Sequence, residues 1–178
     1  CDRSTELSSS IWKRDFVCVP LDHIANYDIE PDFKDFPFGE LKSSEGVPFE
    51  IRRGKSVYQS ANEKKTPFST RLPLKPTVQN PSSAYFVINA GDAQLPQSGE
   101  TIGRVELEFS DSTTQPYDLV LGKNIFEWAV NDPGNLVTKP VDGRQVVRIH
   151  SGYNTSGNDS RLNALEIPIL RQNREKSL

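Results

Sequence analysis

The chain is poor in the residues on which most catalytic and metal sites depend. Its 178 residues include two histidines, two cysteines, two tryptophans and no methionine. Histidine is the commonest general base and metal ligand, so only His23 and His150 could take either role. The motifs G-x-S-x-G, G-x-x-x-x-G-K-[ST] and C-x-x-C do not occur. The sequence therefore lacks the signatures of an α/β-hydrolase, a P-loop nucleotide site and a dithiol or zinc site.

The chain also lacks an excess of positive charge and any long apolar run. Its formal net charge is −3 and its isoelectric point is near 5.5. Nucleic-acid binding would require a basic patch or stripe, and a membrane-spanning helix about 18 or more consecutive apolar residues. We therefore expect neither a nucleic-acid partner nor a transmembrane segment.

Cysteine is scarce enough for each copy to be considered separately. Cys18 lies between two valines in FVCVPL, which indicates a small buried apolar residue, with a Cys1–Cys18 disulfide as the alternative. Cys1 stands where a methionine would be expected, which indicates a processed product or an excerpt of a longer protein. Residues 1–10 are polar and serine-rich, and we expect them to form a flexible N-terminal segment. A mature bacterial lipoprotein also begins with cysteine, and these residues would then serve as its tether.

Thirteen prolines and eleven glycines separate short runs with strand-like composition. No long amphipathic helix is evident, so the pattern predicts an all-β sandwich or jelly roll, with a barrel as the alternative. We expect one domain over residues 11–172 and a frayed tail over residues 173–178. The predicted strands are 16–21, 47–51, 56–60, 68–74, 83–90, 102–110, 116–122, 124–130, 141–152 and 161–170.

Two of these runs carry the clearest patterns. Residues 83–90 are almost continuously apolar, which is typical of a strand buried on both faces. Residues 102–110 alternate strictly, with Val105, Leu107 and Phe109 on one face and charged residues on the other, which predicts one buried face.

Two connections can also be assigned from turn chemistry. Residues 52–55, Arg-Arg-Gly-Lys, lie between two predicted strands and indicate a hairpin turn. Residues 22–46 are acidic and aromatic and contain two prolines, which predicts a long loop. Their carboxylates could form a catalytic pair for glycoside hydrolysis or bind calcium, but their spacing selects no pair and the EF-hand pattern is absent. A solvated acidic loop is the favoured explanation of these residues. These carboxylates are Asp22, Asp28, Glu30, Asp32 and Asp35.

Aromatic residues suggest a ligand site of another kind. Tyr153 lies in SGYNTSGNDS, a stretch too polar to bury a ring easily. Nearby residues could hydrogen-bond to sugar hydroxyls, and we expect this loop to bind ligand. These neighbours are Asn154, Asn158, Asp159 and Arg161. Trp128 could be a second sugar platform, but its apolar neighbours Ile125 and Phe126 favour packing in the core.

Several segments together resemble galactose-binding-like β-sandwich modules of bacterial proteins. The similarity is carried by FVCVPLDHIANYDIE, GVPFEI, SAYFVINAGDA and IGRVELEFSDSTTQPYDLVLGKNIFEW. The family elements fall at 22–26, 47–51, 84–90, 102–111 and 122–128. Two positions depart from the family pattern, because Asn89 replaces a usual histidine and Asp111-Ser112 replaces an Asp-Gly turn.

The resemblance implies a jelly-roll β-sandwich of about ten short, mostly antiparallel strands. It also implies a non-catalytic carbohydrate-binding or accessory module of an extracytoplasmic protein, which is secreted, periplasmic or lipoprotein-anchored. Its partner would be a glycan or a neighbouring protein domain. No cofactor is expected apart from a structural calcium, to which Asp22 or Glu166 would contribute. A structural or protein-interaction domain is the alternative, and a glycoside hydrolase is the third reading.

Overall fold

The chain folds as an all-β structure. A computed structural model describes residues 16–31, 36–55, 57, 58, 78–129, 134, 146–153 and 159–178, with residues 146–153 and 159 described by their backbone alone. Apart from strands, these ranges contain two single-turn 3₁₀ helices, Leu95–Gln97 and Arg171–Asn173. None of their helices is long and apolar enough to cross a membrane. The strands are β1 (Gly39–Lys42), β2 (Pro48–Ile51), β3 (Ser83–Val87), β4 (Thr101–Glu108), β5 (Thr114–Val120), β6 (Val146–Tyr153) and β7 (Asp159–Pro168).

Three antiparallel sheets are formed by these strands. The largest has the order β3–β7–β6, and the hairpins β1–β2 and β4–β5 form the other two. Strand β7 is the longest of the seven, with ten residues, and it pairs with a neighbour on each side. It is therefore the structural centre of the described residues.

The first apolar cluster lies between the β3–β7 pair and the β4–β5 hairpin. Alternate residues of β7, Leu165 and Ile167, are 1% and 0% exposed in this cluster. The β4–β5 hairpin contributes Leu107 and Leu119 from the opposite side. Because side chains alternate along a strand, each strand presents one apolar row to the cluster.

The second apolar cluster uses the other face of the same β3–β7 pair. Val87 and Leu162 reach it from β3 and β7, and Ile51 reaches it from β2. Ile29 and Phe36 complete its buried part from the segment that precedes β1. Strands β3 and β7 therefore contact apolar side chains on both faces.

Strand β4 behaves as its sequence predicts, whereas β3 is only half-buried and lies at the edge of its described sheet. In β4, Val105 and Leu107 pack in the first cluster, whereas Arg104 and Glu106 are exposed. The predicted strand 83–90 contributes to both clusters, although regular pairing ends at Val87. Its final residues serve a different purpose, described below.

The predicted hairpin turn at residues 52–55 is wrong. Strand β2 pairs instead with β1, which lies inside the predicted long loop, and the turn falls at residues 43–47. There the Ser43 hydroxyl accepts a hydrogen bond from the Val47 amide at 3.1 Å, and Gly46 has a φ of +83°. Only glycine adopts such a backbone conformation at low cost, so this turn is favoured locally.

Two other predicted strands are absent where the structure describes them, and a third lies outside. Residues 16–21 form no ladder, and Val17 is 61% exposed because no apolar cluster receives it. Residues 124–129 form a tight turn and isolated bridges rather than a strand. The run 68–74 lies outside the described residues.

The interpretation of Cys18 as a small buried apolar residue is wrong. Cys18 is half-buried and disulfide-bonded. The chain has one other cysteine, Cys1, which lies outside the described residues. A disulfide-bonded sulfur is neither a nucleophile nor a metal ligand, so Cys18 is excluded from both roles.

Residues 173–178 are predicted to fray, whereas the structure binds them to the body of the protein. Leu178 packs against the first cluster and exchanges two backbone hydrogen bonds with Val78, at 2.9 and 3.2 Å. Lys176 forms a 2.7 Å ion pair with Asp111 in the turn between β4 and β5. The polarity of this tail therefore reflects specific contacts at its end rather than an absence of contacts.

This ion pair predicts a measurable change in the pKa of Asp111. The hydrogen bond from Lys176, followed by those from Thr113, lowers that pKa from 3.8 to about 2. In Lys176→Ala the pKa should rise towards 3.8, which carboxyl NMR titration would measure. The lowered pKa stabilises the fold above about pH 4, and this contribution is lost as the pH falls towards 2. An unchanged pKa in the variant would contradict the contact, and Arg104→Ala, which removes an ion pair with Asp118, is the control.

Candidate functional site

The predicted ligand loop connects strands β6 and β7. Tyr153 is the last residue of β6 and faces Asp159, the first residue of β7, while Arg161 faces Ser151 two rows further along. Tyr153 was predicted to lie in a loop, but it forms part of the hairpin ladder instead. Asn154 and Asn158 fall in the connection itself, outside the described residues.

Regular pairing between β3 and β7 ends beside this hairpin, where a side chain replaces the backbone. The side-chain oxygen of Asn89 accepts a hydrogen bond from the backbone amide of Asn163 at 3.1 Å. The side-chain nitrogen of Asn89 donates one to the backbone carbonyl oxygen of Arg161, also at 3.1 Å. It therefore satisfies two backbone groups of β7 that a continuing β3 would otherwise pair.

Beyond Asn89, the segment 126–129 becomes the neighbour of β7. The Trp128 carbonyl oxygen accepts a 2.9 Å hydrogen bond from the Arg161 amide, and Ala129 bridges to Ser160. On its other side the segment pairs with Ala90 through hydrogen bonds of 2.8 and 3.3 Å. The backbone of Trp128 is thereby brought directly beside the start of β7.

The side chain of Trp128 packs against the second apolar cluster, which confirms its predicted core contact. It is only partly buried, however, whereas its neighbour Phe126 is 1% exposed. The Trp128 indole nitrogen also lies 3.9 Å from where a Cβ at Gly91 would stand. Phe126 is thus the fully buried aromatic of this segment, and Trp128 lies at the margin of the core.

Glu127 lies between these two aromatics in the sequence and is itself buried, which its sequence context did not predict. It is 2% exposed, and its carboxylate accepts hydrogen bonds from the backbone amides of Ala93 at 2.6 Å and Ala129 at 3.4 Å. Burial raises its pKa despite these hydrogen bonds, and nearby Asp92 raises it further. Because both oxygens are bound to backbone amides, the geometry indicates a tie between two segments rather than an acid available to a substrate. Its signal in the sequence is a lone carboxylate inside the apolar run NIFEWAV.

Asn163 is a second buried polar residue that the sequence analysis did not select. It is 2% exposed, and its backbone is bonded to Ile88 and Asn89. Neither its side-chain nitrogen nor its side-chain oxygen has a hydrogen-bond partner in the described structure. The pairing of β6 with β7 shifts at the same point, between Arg148 and His150, which indicates a β-bulge.

The two carboxylates predicted to bind calcium have other partners. Asp22 forms a 3.3 Å ion pair with Arg52. Glu166 accepts hydrogen bonds from the hydroxyls of Ser83 at 2.6 Å and Tyr85 at 3.0 Å. Within the described ranges, neither is grouped with two further His, Cys, Asp or Glu side chains. Calcium at Asp22 or Glu166 stays a prediction for which these residues supply no donor set.

Comparison with protein-family models, with curated proteins and with solved structures finds no match for the chain. The resemblance to galactose-binding-like modules therefore depends on the sequence segments quoted above.

The packing of segment 126–129 predicts unequal costs for its two aromatics. Phe126→Ala should lower the free energy of unfolding by about 3–5 kcal/mol, as for other fully buried large aromatics. Trp128→Ala should cost less, because part of the indole is already in contact with solvent. Urea unfolding of both variants would measure the difference, and a larger loss for Trp128→Ala would contradict the assignment.

The raised pKa of Glu127 predicts a specific dependence of stability on pH. The folded protein binds this proton more tightly than the unfolded chain, whose pKa is near 4.5. The free energy of unfolding should therefore fall as pH rises above about 4.5 and through the folded-state pKa. Glu127→Gln removes the titration, so the stability of the native protein relative to this variant should decline with rising pH.

Urea unfolding at several values between about pH 4 and pH 7 would test this. Asp92→Asn is the matched control, because asparagine tolerates the positive φ of 58° at this position while the charge is removed. Because Asp92 contributes to the raised pKa of Glu127, the free energy of unfolding of Asp92→Asn should fall less with rising pH than that of the native protein. If the native protein instead became more stable relative to Glu127→Gln as the pH rises, that result would contradict the raised pKa.

Proposed function

We propose that the chain is a non-catalytic carbohydrate-binding or accessory module, built as a galactose-binding-like jelly-roll sandwich and belonging to a larger extracytoplasmic protein. The sandwich is supported by the first apolar cluster, which lies between the β3–β7 pair and the β4–β5 hairpin. The exposed row of β4 contains the charged residues Arg104, Glu106 and Glu108, as expected for the outer face of a sandwich.

The observation that carries the binding proposal is the register of β6 and β7. It brings Tyr153, Asp159 and Arg161 to one end of the sheet, within two rows of each other and beside the segment that contains Trp128. Sugar sites combine an aromatic surface with a few convergent polar groups, and these residue types supply both. The connection between the strands adds Asn154 and Asn158 from the sequence.

An oxidising compartment is supported by the disulfide of Cys18. Disulfides persist in secreted, periplasmic and cell-surface proteins and are rare in the reducing cytosol. A thiol that carries a lipid thioether cannot also form a disulfide. A lipoprotein form with Cys1 as its anchor therefore requires that Cys18 bind a different cysteine.

A structural or protein-interaction domain is the second candidate. It is favoured by Phe16 and Val17, two adjacent apolar residues that are 38% and 61% exposed. Phe16 contacts the ring of Tyr85 edge-on, with 6.3 Å between centroids, so Phe16 is positioned against the sheet. A neighbouring domain would cover it, and hydrogen exchange of the full-length protein would detect that cover.

A glycan array followed by isothermal titration calorimetry tests the sugar-binding proposal. Tyr153→Ala should weaken binding of the best glycan about tenfold or more, which corresponds to ~1.4 kcal/mol. Arg161→Ala should also weaken it, whereas Arg104→Ala should not, because Arg104 lies on the exposed face of β4. Absence of any glycan binding by the native protein would exclude the proposal. Equal binding by all variants would exclude this surface.

A further inference from the structure

One face of β7 is polar at the start of the strand and apolar towards its end. Asp159, Arg161 and Asn163 occupy alternate positions and therefore share a face, which continues with the apolar Leu165 and Ile167 of the first cluster. Asn163 is thus the innermost polar residue of a row that begins at the proposed sugar site. The row extends over about 13 Å, at the usual rise of ~3.3 Å per residue.

The side-chain amide of Asn163 differs from other buried side-chain amides in the part of the chain that the structure describes. The Asn124 side chain accepts a hydrogen bond from the Val120 amide at 2.8 Å and donates one to the Asp118 carbonyl oxygen at 2.9 Å. The Gln115 side chain is similarly bonded to Pro168 and Leu170. An unbonded buried amide destabilises a fold, so Asn163 is the exception that requires a physical reason.

Both neighbours of β7 are irregular at Asn163. On one side β3 stops pairing and Asn89 bonds in its place, and on the other side β6 has its bulge. Bulges are common next to binding sites, because they redirect side chains and end regular pairing. The unbonded amide therefore lies where the sheet departs from regular geometry on both sides.

We propose that Asn163 is a specificity-determining contact of the sugar site, whose free amide is completed by a ligand hydroxyl directly or through one bridging water. The inference rests on the sugar-binding function proposed above. A hydroxyl both donates and accepts, so it can satisfy the amide oxygen and the amide nitrogen together. A carboxylate only accepts and an ammonium group only donates, so Asn163 selects a neutral hydroxyl at this position over an acidic or basic substituent.

Asn163→Leu separates this role from a purely structural one. The leucine has a similar volume and removes the unbonded amide, so the midpoint of thermal unfolding should stay equal or rise. Affinity for the glycan that binds the native protein should fall at least tenfold in calorimetry. Asn124→Leu is the matched control, because it breaks two existing hydrogen bonds and should lower the unfolding midpoint while leaving glycan affinity unchanged.

The outcomes distinguish this inference from the function on which it rests. If the native protein binds a glycan and Asn163→Leu binds it equally well, the amide only retains an internal water and the inference fails. If the native protein binds no glycan, the proposed function fails and the inference fails with it. If Asn163→Leu does not fold, NMR of the native protein with and without glycan tests whether Asn163 contacts the ligand. Glycan should shift the side-chain NH₂ signals of Asn163 and not those of Asn124, and unshifted Asn163 signals would overturn the contact.

Discussion

The double pairing of β7 is the constraint on which the rest of the described structure depends. This strand is hydrogen-bonded to β3 along one edge and to β6 along the other, and its two faces enter two different apolar clusters. Leu165 and Ile167 fill the first cluster, whereas Leu162 fills the second. Because one strand belongs to every one of these contacts, the other elements can be described by how they attach to it.

The two halves of β7 have different neighbours. From Ala164 to Pro168 the strand pairs regularly with β3, and its residues Ala164, Leu165 and Ile167 are 1%, 1% and 0% exposed. From Asp159 to Asn163 its neighbours are a side-chain amide, a short irregular segment and a bulged strand. Regular pairing supplies stability, and departures from it position polar groups at a sheet end. The proposed binding surface lies in the irregular half for this reason.

Polar side chains that bind backbone groups explain why the turns and sheet ends could not be read from periodicity. Ser43, Asn89 and Asn124 each replace a backbone partner in a turn or at a strand end. Gln115 and Glu127 do the same for the C-terminal segment and for residue 93. Such residues are indistinguishable in sequence from solvated polar residues, because their partners lie in other segments. The predicted hairpin at residues 52–55 failed because the turn forms instead at residues 43–47, where the Ser43 hydroxyl and the positive φ of Gly46 favour it.

The sequence by itself determined the class of structure and the strands with strong patterns. The alternation at Val105, Leu107 and Phe109 and the apolar run of β3 reflect local burial, which is encoded residue by residue. Tertiary structure decided which segment neighbours β7, that Cys18 is bonded, and that Glu127 and Asn163 are buried. Those properties depend on contacts between residues distant in the chain. No local pattern specifies them, because burial of a polar group is tolerated or costly only according to the partner that the fold places beside it.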